Sequence, residues 1–165
     1  MKKIFCLLLC ALILSGCTAV GDGVTAITAG ISFVADIEYD DEIYTYTVEI
    51  SENGDTVMTA VSENCLKGTV MRFSDNEICF ECNEISQSNE ISTLPEGTIS
   101  DFIYAVFSDA SRKSESVVLE NDKYCLKGKT DKYDYNMYLG ETGLPIEITD
   151  KANGITAVIK NVGIK

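Results

Sequence analysis

The sequence predicts a mostly-β (α+β) domain, one antiparallel meander forming a strongly curved sheet with a single helix packed on its concave face. Three observations predict it. Apolar residues recur at period two over most of the chain from about residue 30 onward, as half-buried strands require. The breaks between these runs hold Asn, Asp, Gly or Pro, the residues that turns use. One segment near residue 100 switches to helical spacing.

The first strand is carried by Ile31, Phe33, Ala35, Ile37 and Tyr39, which alternate with Ser32, Asp36 and Glu38. Asp40 and Asp41 mark a turn, after which Tyr44, Tyr46, Val48 and Ile50 resume the alternation. Asn53-Gly54 predicts a hairpin, because both residues tolerate the positive φ of a type I′ turn, and Val57, Thr59 and Val61 follow it. A further pair is expected at residues 68–73 and 77–83 around Ser74-Asp75-Asn76. Five more strands are expected near residues 116–120, 124–129, 133–139, 144–149 and 155–161, giving about ten short strands in all.

The helix follows Pro95 and Gly97, with Ser100 as its expected N-cap and Asp101 in its first turn. Phe102, Ile103, Val106, Phe107 and Ala110 then share one face, and Arg112-Lys113 marks the end. That apolar face needs burial, and the concave side of a twisted sheet supplies it. Cys65-Leu66-Lys67-Gly68 recurs as Cys125-Leu126-Lys127-Gly128. It reads as two similar strand entries whose cysteines could lie near each other.

Ahead of this domain stands MKKIFCLLLCALILSGC. Two lysines precede an apolar run of 11 residues, 4–14, too short for the ~20 residues of a permanent membrane span but suited to a secretory signal. Leu14-Ser15-Gly16-Cys17 resembles the lipobox of bacterial lipoprotein precursors. That resemblance implies cleavage before Cys17 and palmitate-type acyl chains on its thiol. Residues 1–16 would then be signal, 17–29 the lipidated cysteine with a flexible Gly/Ala/Thr-rich tether, and 30–165 one domain. Two or three acyl chains anchor firmly where one binds marginally. The expected location is the extracytoplasmic face of the cell membrane, or the outer membrane if the organism has one. Thr18 stands where an aspartate would suggest inner-membrane retention.

Signal removal leaves 149 of the 165 residues and takes two of the 13 basic side chains, so 11 remain against 26 carboxylates, a net −15. Such a surface repels phosphate backbones, which argues against nucleic acid as a partner. Cys65, Cys79, Cys82 and Cys125 remain beside Cys17. Three readings are open for them: buried unpaired thiols, one or two disulfides of unknown connectivity, or redox or metal chemistry at the C-x-x-C. Strand periodicity points Cys79 and Cys82 to opposite faces, and the chain has no histidine to complete a metal site. No metal or cofactor is expected.

The whole pattern resembles the lipoprotein-localisation-factor (LolA-like) superfamily, incomplete antiparallel barrels wrapped around a helix. The resemblance runs from Ile31 to Lys165. It is carried by the Ile31-Ser32-Phe33-Val34-Ala35-Asp36-Ile37-Glu38-Tyr39 strand, the hairpin, the Pro-led helix and Gly143-Leu144-Pro145 before the closing hairpin. It implies a half-barrel that holds acyl chains or other apolar ligands between sheet and helix. Phe33, Tyr44, Tyr46, Val48, Phe102, Val106, Tyr135 and Met137 are the candidate cavity lining; core packing is the competing use of the same residues. With only Arg72 and Arg112 as arginines, no family site maps residue by residue.

Catalysis is not expected. Without histidine there is no Ser-His or Cys-His pair, and S-x-x-K, a Gly-rich phosphate loop and a complete calcium loop are all missing from the sequence. A pair such as Asp40 and Glu42 is what chance provides among 26 acidic residues. The expectation is therefore a lipid-anchored binding module for a lipid or other apolar ligand. The alternative is an interaction protein of the cell envelope with a closed core and a protein partner.

Overall fold

The computed structural model describes residues 23–165 apart from residues 66 and 95–97. The expected signal, lipobox and Cys17 lie outside the described residues, as does the side chain of Cys65. Eleven strands form a single antiparallel sheet: β1 (Ile31–Tyr39), β2 (Glu42–Ile50), β3 (Thr56–Ala60), β4 (Val70–Ser74), β5 (Glu77–Cys82), β6 (Ile85–Glu90), β7 (Val117–Glu120), β8 (Lys123–Lys129), β9 (Asp134–Leu139), β10 (Pro145–Asp150) and β11 (Ile155–Ile164). Their order is β6-β5-β4-β3-β2-β1-β11-β10-β9-β8-β7. Two meanders thus meet at the β1–β11 pair, and the helix α1 (Ile99–Arg112) carries the chain from one open edge to the other.

That crossing requires curvature. Eleven strands at ~4.8 Å spacing would span ~48 Å if flat, whereas 14 helical residues cover ~21 Å. Yet Tyr104 stacks on Phe73 of β4 at 4.7 Å, while Asp109, five residues on, accepts a hydrogen bond from Tyr135 of β9. Six inter-strand steps separate those two strands, so the sheet curls around α1 as an unclosed half-barrel.

One face of the sheet is a continuous apolar ladder. Phe33 lies opposite Val48, Val48 opposite Met58, and Met58 opposite Met71. On the other side of β1, Ile37 faces Ala157, Ala157 faces Ile148, Ile148 faces Met137, and Met137 faces Leu126. Period two places all of these toward the helix, and they form one cluster with Phe102, Ile103, Val106, Phe107 and Ala110. The expected architecture is the observed one.

Several local expectations are corrected. Asn53-Gly54 sits in a five-residue connection, 51–55, in which only Gly54 has positive φ. Ser51, Asn53 and Asp55 hydrogen-bond one another there and hold the wider loop. The two-residue turns with both φ positive are instead Asp40-Asp41, Asn83-Glu84 and Asn121-Asp122. Strand β6 escaped the sequence reading because Ile-Ser-Gln-Ser-Asn-Glu has no apolar alternation; it is held by pairing with β5 alone. Thr98, not Ser100, is the N-cap. Ser100 is buried one residue inside the helix.

The tether expectation also changes. The Ala26 N–H donates to the Ser114 carbonyl and the Ile27 N–H to the Gly143 carbonyl, both at 2.9 Å. Ala26 and Thr28 are buried. Residues 24–29 therefore belong to the body of the domain, with Val24, Ile27 and Ala29 packed against the core. Finally, the two Cys-Leu-Lys-Gly segments are not equivalent. Cys125 to Gly128 lies within β8, whereas Gly68 has φ +87° in the turn before β4.

Candidate functional site

The space between α1 and the sheet is where the eight candidate lining residues meet. Phe33, Tyr46, Val48, Phe102, Val106, Tyr135 and Met137 are buried there together, and Tyr44, near the start of β2, is half-buried. Phe33 stacks on Phe107 at 5.2 Å, and Phe102 meets Tyr133 edge-on at 5.1 Å. Val48, Phe102, Val106, Tyr135 and Met137 have no accessible surface at all. A side chain without accessible surface borders no void that admits even a water, so this space is filled by the protein itself.

Sequence reasoning missed the polar half of the interface. Asp101 and Asp109, two turns apart on α1, are only 2% and 7% exposed. The Tyr133 hydroxyl donates to Asp101 Oδ2 at 2.9 Å, and Lys132 Nζ lies 3.0 Å from the same oxygen. At the other end the Tyr135 hydroxyl donates to Asp109 Oδ2 at 2.9 Å, with Lys113 Nζ at 2.7 Å. Burial, and then the Asp109 carboxylate, push the Tyr135 hydroxyl well above the ordinary range for tyrosine, so it stays protonated and donates. Buried carboxylates need such partners. The signal was in the sequence: Asp109 lies three residues after Val106 and seven after Phe102, on the apolar face where a solvent-facing charge does not belong.

Gly128 makes the second contact possible. It lies opposite Tyr135 in the β8–β9 ladder, and a Cβ there would fall 2.2 Å from the tyrosine hydroxyl oxygen. Without a side chain on β8, the Tyr135 ring lies over the backbone and reaches the helix.

Two open clefts flank α1. One of about 300 Å³ lies between Tyr104, Ser108 and Ser111 of the helix and the 53–55 loop, with Thr28 and Ala29 at its rim. The other, of about 380 Å³, is bordered by Ile91, Tyr104, Thr130 and Lys132. None of the eight candidate residues lines either cleft.

Cys79, Cys82 and Cys125 are free thiols. Cys79 packs beside Ser86, with Sγ and Oγ 3.2 Å apart. Burial pushes the Cys125 thiol above its ordinary value, which leaves it a poor nucleophile. Among the described residues no three Cys, Asp or Glu side chains converge as a metal site, and no helix is long and apolar enough to cross a membrane.

No family model and no curated protein matches the chain. Solved structures do. An uncharacterized conserved protein from Thermus thermophilus matches with a TM-score of 0.52 at 8% identity, over 84% of this chain and 80% of that one. A LolA superfamily protein from Nitrosomonas europaea matches with a TM-score of 0.47 at 10% identity, over 90% and 91% of the two chains. A DUF1329 family protein from Desulfovibrio piger matches with a TM-score of 0.42 at 13% identity, over 84% and 87%. At these identities the likeness is one of fold, and only the first is close enough to carry it.

Proposed function

We propose that the chain is an envelope lipoprotein, cut before Cys17 and held by its acyl chains on the extracytoplasmic face of the membrane, whose half-barrel is a non-catalytic module for an acyl chain or other apolar ligand. The observation that carries the ligand reading is the way the apolar face is closed. One 14-residue helix covers it. The tertiary bonds that fix the helix there start from its side chains: Asp101 to Tyr133 and Lys132, Asp109 to Tyr135, and the Tyr104 hydroxyl to the Asp75 carbonyl. A strand leaves a sheet only by breaking its backbone ladder, whereas a helix can lift by giving up packing and a few side-chain bonds. Lifting α1 would uncover Phe33, Val48 and Met137, and an apolar ligand would restore the lost burial at ~25 cal/mol per Å². Binding here is therefore exchange of the helix's apolar face for the ligand.

Native mass spectrometry of residues 18–165, made in a bacterial host, tests this. The expected result is a retained lipid adduct, lost in Val106→Glu. The Tyr133→Phe/Tyr135→Phe chain, which frees the helix from both tyrosine hydroxyls, should take up more of an added apolar dye. Circular dichroism confirms that each variant folds. A clean apo mass, with no dye uptake by wild type or by the double variant, would overturn the reading.

A second reading, an envelope protein that works through a protein partner, is favoured by β6. Among the described residues its outer edge is unpaired, and Ile85 at its start is 73% exposed, an arrangement open to strand addition. A photoreactive residue at Gln87 that captures one defined envelope protein in cells would support it, and no captured product would count against it.

A further inference from the structure

We infer that one end of the half-barrel is built to face the bilayer: the end formed by the docked residues 24–30, the 140–144 turn and the loop that follows α1. The inference rests on the anchoring reading above. It starts from how the chain enters the domain. The Ala26 N–H is bound to Ser114 just past the helix, and the Ile27 N–H to Gly143 in the β9–β10 turn. The Lys165 N–H donates to the Gly30 carbonyl at 2.8 Å. Gly143 is required at that point: it has φ +81°, and a Cβ would stand 2.1 Å from the Thr25 carbonyl oxygen. The entry point is thus fixed on three elements.

Between Cys17 and the first docked residue, Val24, stand only six residues. Fully extended, the seven Cα–Cα steps from Cys17 to Val24 reach about 24 Å. Strand β1 starts beside this entry point and runs nine residues away from it, about 30 Å, to the Asp40-Asp41 turn. If that far turn faced the membrane, the chain would have to span more than its own length to place Cys17 at the headgroups. The far end is excluded by reach.

The cleft of about 300 Å³ borders the bilayer-facing end, since Thr28 and Ala29 help to line it. That cleft lies within reach of the membrane surface, and the acidic far turn points to the outside.

The test uses the full-length lipidated protein on phosphatidylcholine vesicles that carry a small fraction of acceptor-labelled lipid. A donor dye is placed, through a genetically encoded reactive residue, at position Glu141 in one variant and at position Asp41 in another. Greater donor loss at 141 than at 41 is expected, and a long Gly/Ser insertion after Cys17 should remove the difference. Equal or reversed loss, or a difference that survives the insertion, would overturn the inference. Flotation separates the two readings. If the wild type fails to float with vesicles, or if Cys17→Ser floats as well as wild type, anchoring through Cys17 itself fails.

Discussion

Strands β1 and β6 belong to one sheet and are held in opposite ways. In β1 every second residue from Ile31 to Ile37 is buried, and both edges are paired, to β2 and to β11. In β6 five of six residues are exposed, and only the β5 side is paired. The first strand is fixed by packing, which fixes its register as well, because a one-residue slip would turn every apolar side chain to solvent. The second is fixed by its backbone pairing with β5, to which the Cys79–Ser86 side-chain contact adds little. Stability in this protein should therefore fall steeply from the β1–β11 centre to the β6 edge, and the helix marks how far the well-packed part extends.

The largest test of that gradient is Phe102→Ala. Phe102 has no exposed surface and packs edge-on against Tyr133. Its truncation should cost ~3–5 kcal/mol, read as a fall in the urea midpoint at unchanged slope. A cost below ~1 kcal/mol would mean that the helix is not part of the cooperative core. Gly128→Ala comes next. The added methyl would meet Tyr135 ring atoms at 2.2 Å, so the ring must swing away from Asp109, at ~1–3 kcal/mol. In a Tyr135→Leu background the same substitution should cost clearly less, and a double-mutant cycle measures the coupling.

The same gradient explains what could be read from the sequence. Strand β1, the Asp40-Asp41 turn and the apolar face of α1 were legible because burial imposes a period, and a period survives in sequence. Strand β6 left no such trace, since backbone pairing places no demand on Ser86, Gln87 or Ser88. The eight candidate lining residues were legible as apolar, but sequence periodicity cannot distinguish a filled interface from an open one. Asp101 and Asp109 were overlooked for a different reason. Asp101, in the first helical turn, has a local explanation, and the partners that give the two carboxylates another role, Tyr133 and Tyr135, lie 32 and 26 residues along the chain from Asp101 and Asp109. The 24–29 segment read as a tether because alanines and threonines serve equally for flexibility and for close packing. Its backbone bonds to Ser114 and Gly143, which lie far along the chain, decide between them.

The centre also has a solvent-facing side, the outer face of β1, where Asp36 accepts from Thr45 Oγ1 at 2.8 Å and pairs with Lys160. The Lys160 hydrogen bond, then that of Thr45, hold the Asp36 carboxyl below its ordinary value of 3.8. A depressed carboxylate stabilises the fold above its unfolded-state value, and that contribution fades as pH falls through the folded-state value. Wild type should exceed Asp36→Asn by ~0.2–1 kcal/mol near pH 7, and the gap should close on acidification below the ordinary value. A gap that is constant down to strongly acidic pH would assign the effect to packing rather than charge.

The smallest effect belongs to Ile85→Ser. Ile85 is 73% exposed at the start of β6, so removing it should change stability by no more than ~0.5 kcal/mol. It should leave the protection of β1 amides against hydrogen exchange untouched, while β6 amides exchange by local opening in either protein. That result would sharpen the contrast, because an apolar side chain retained on an unpaired edge without benefit to the fold is one whose use lies outside it. A loss above ~1 kcal/mol would break the contrast instead. It would show that the edge is bound into the core through packing that begins at Ile85, and strand addition at β6 would lose its main support.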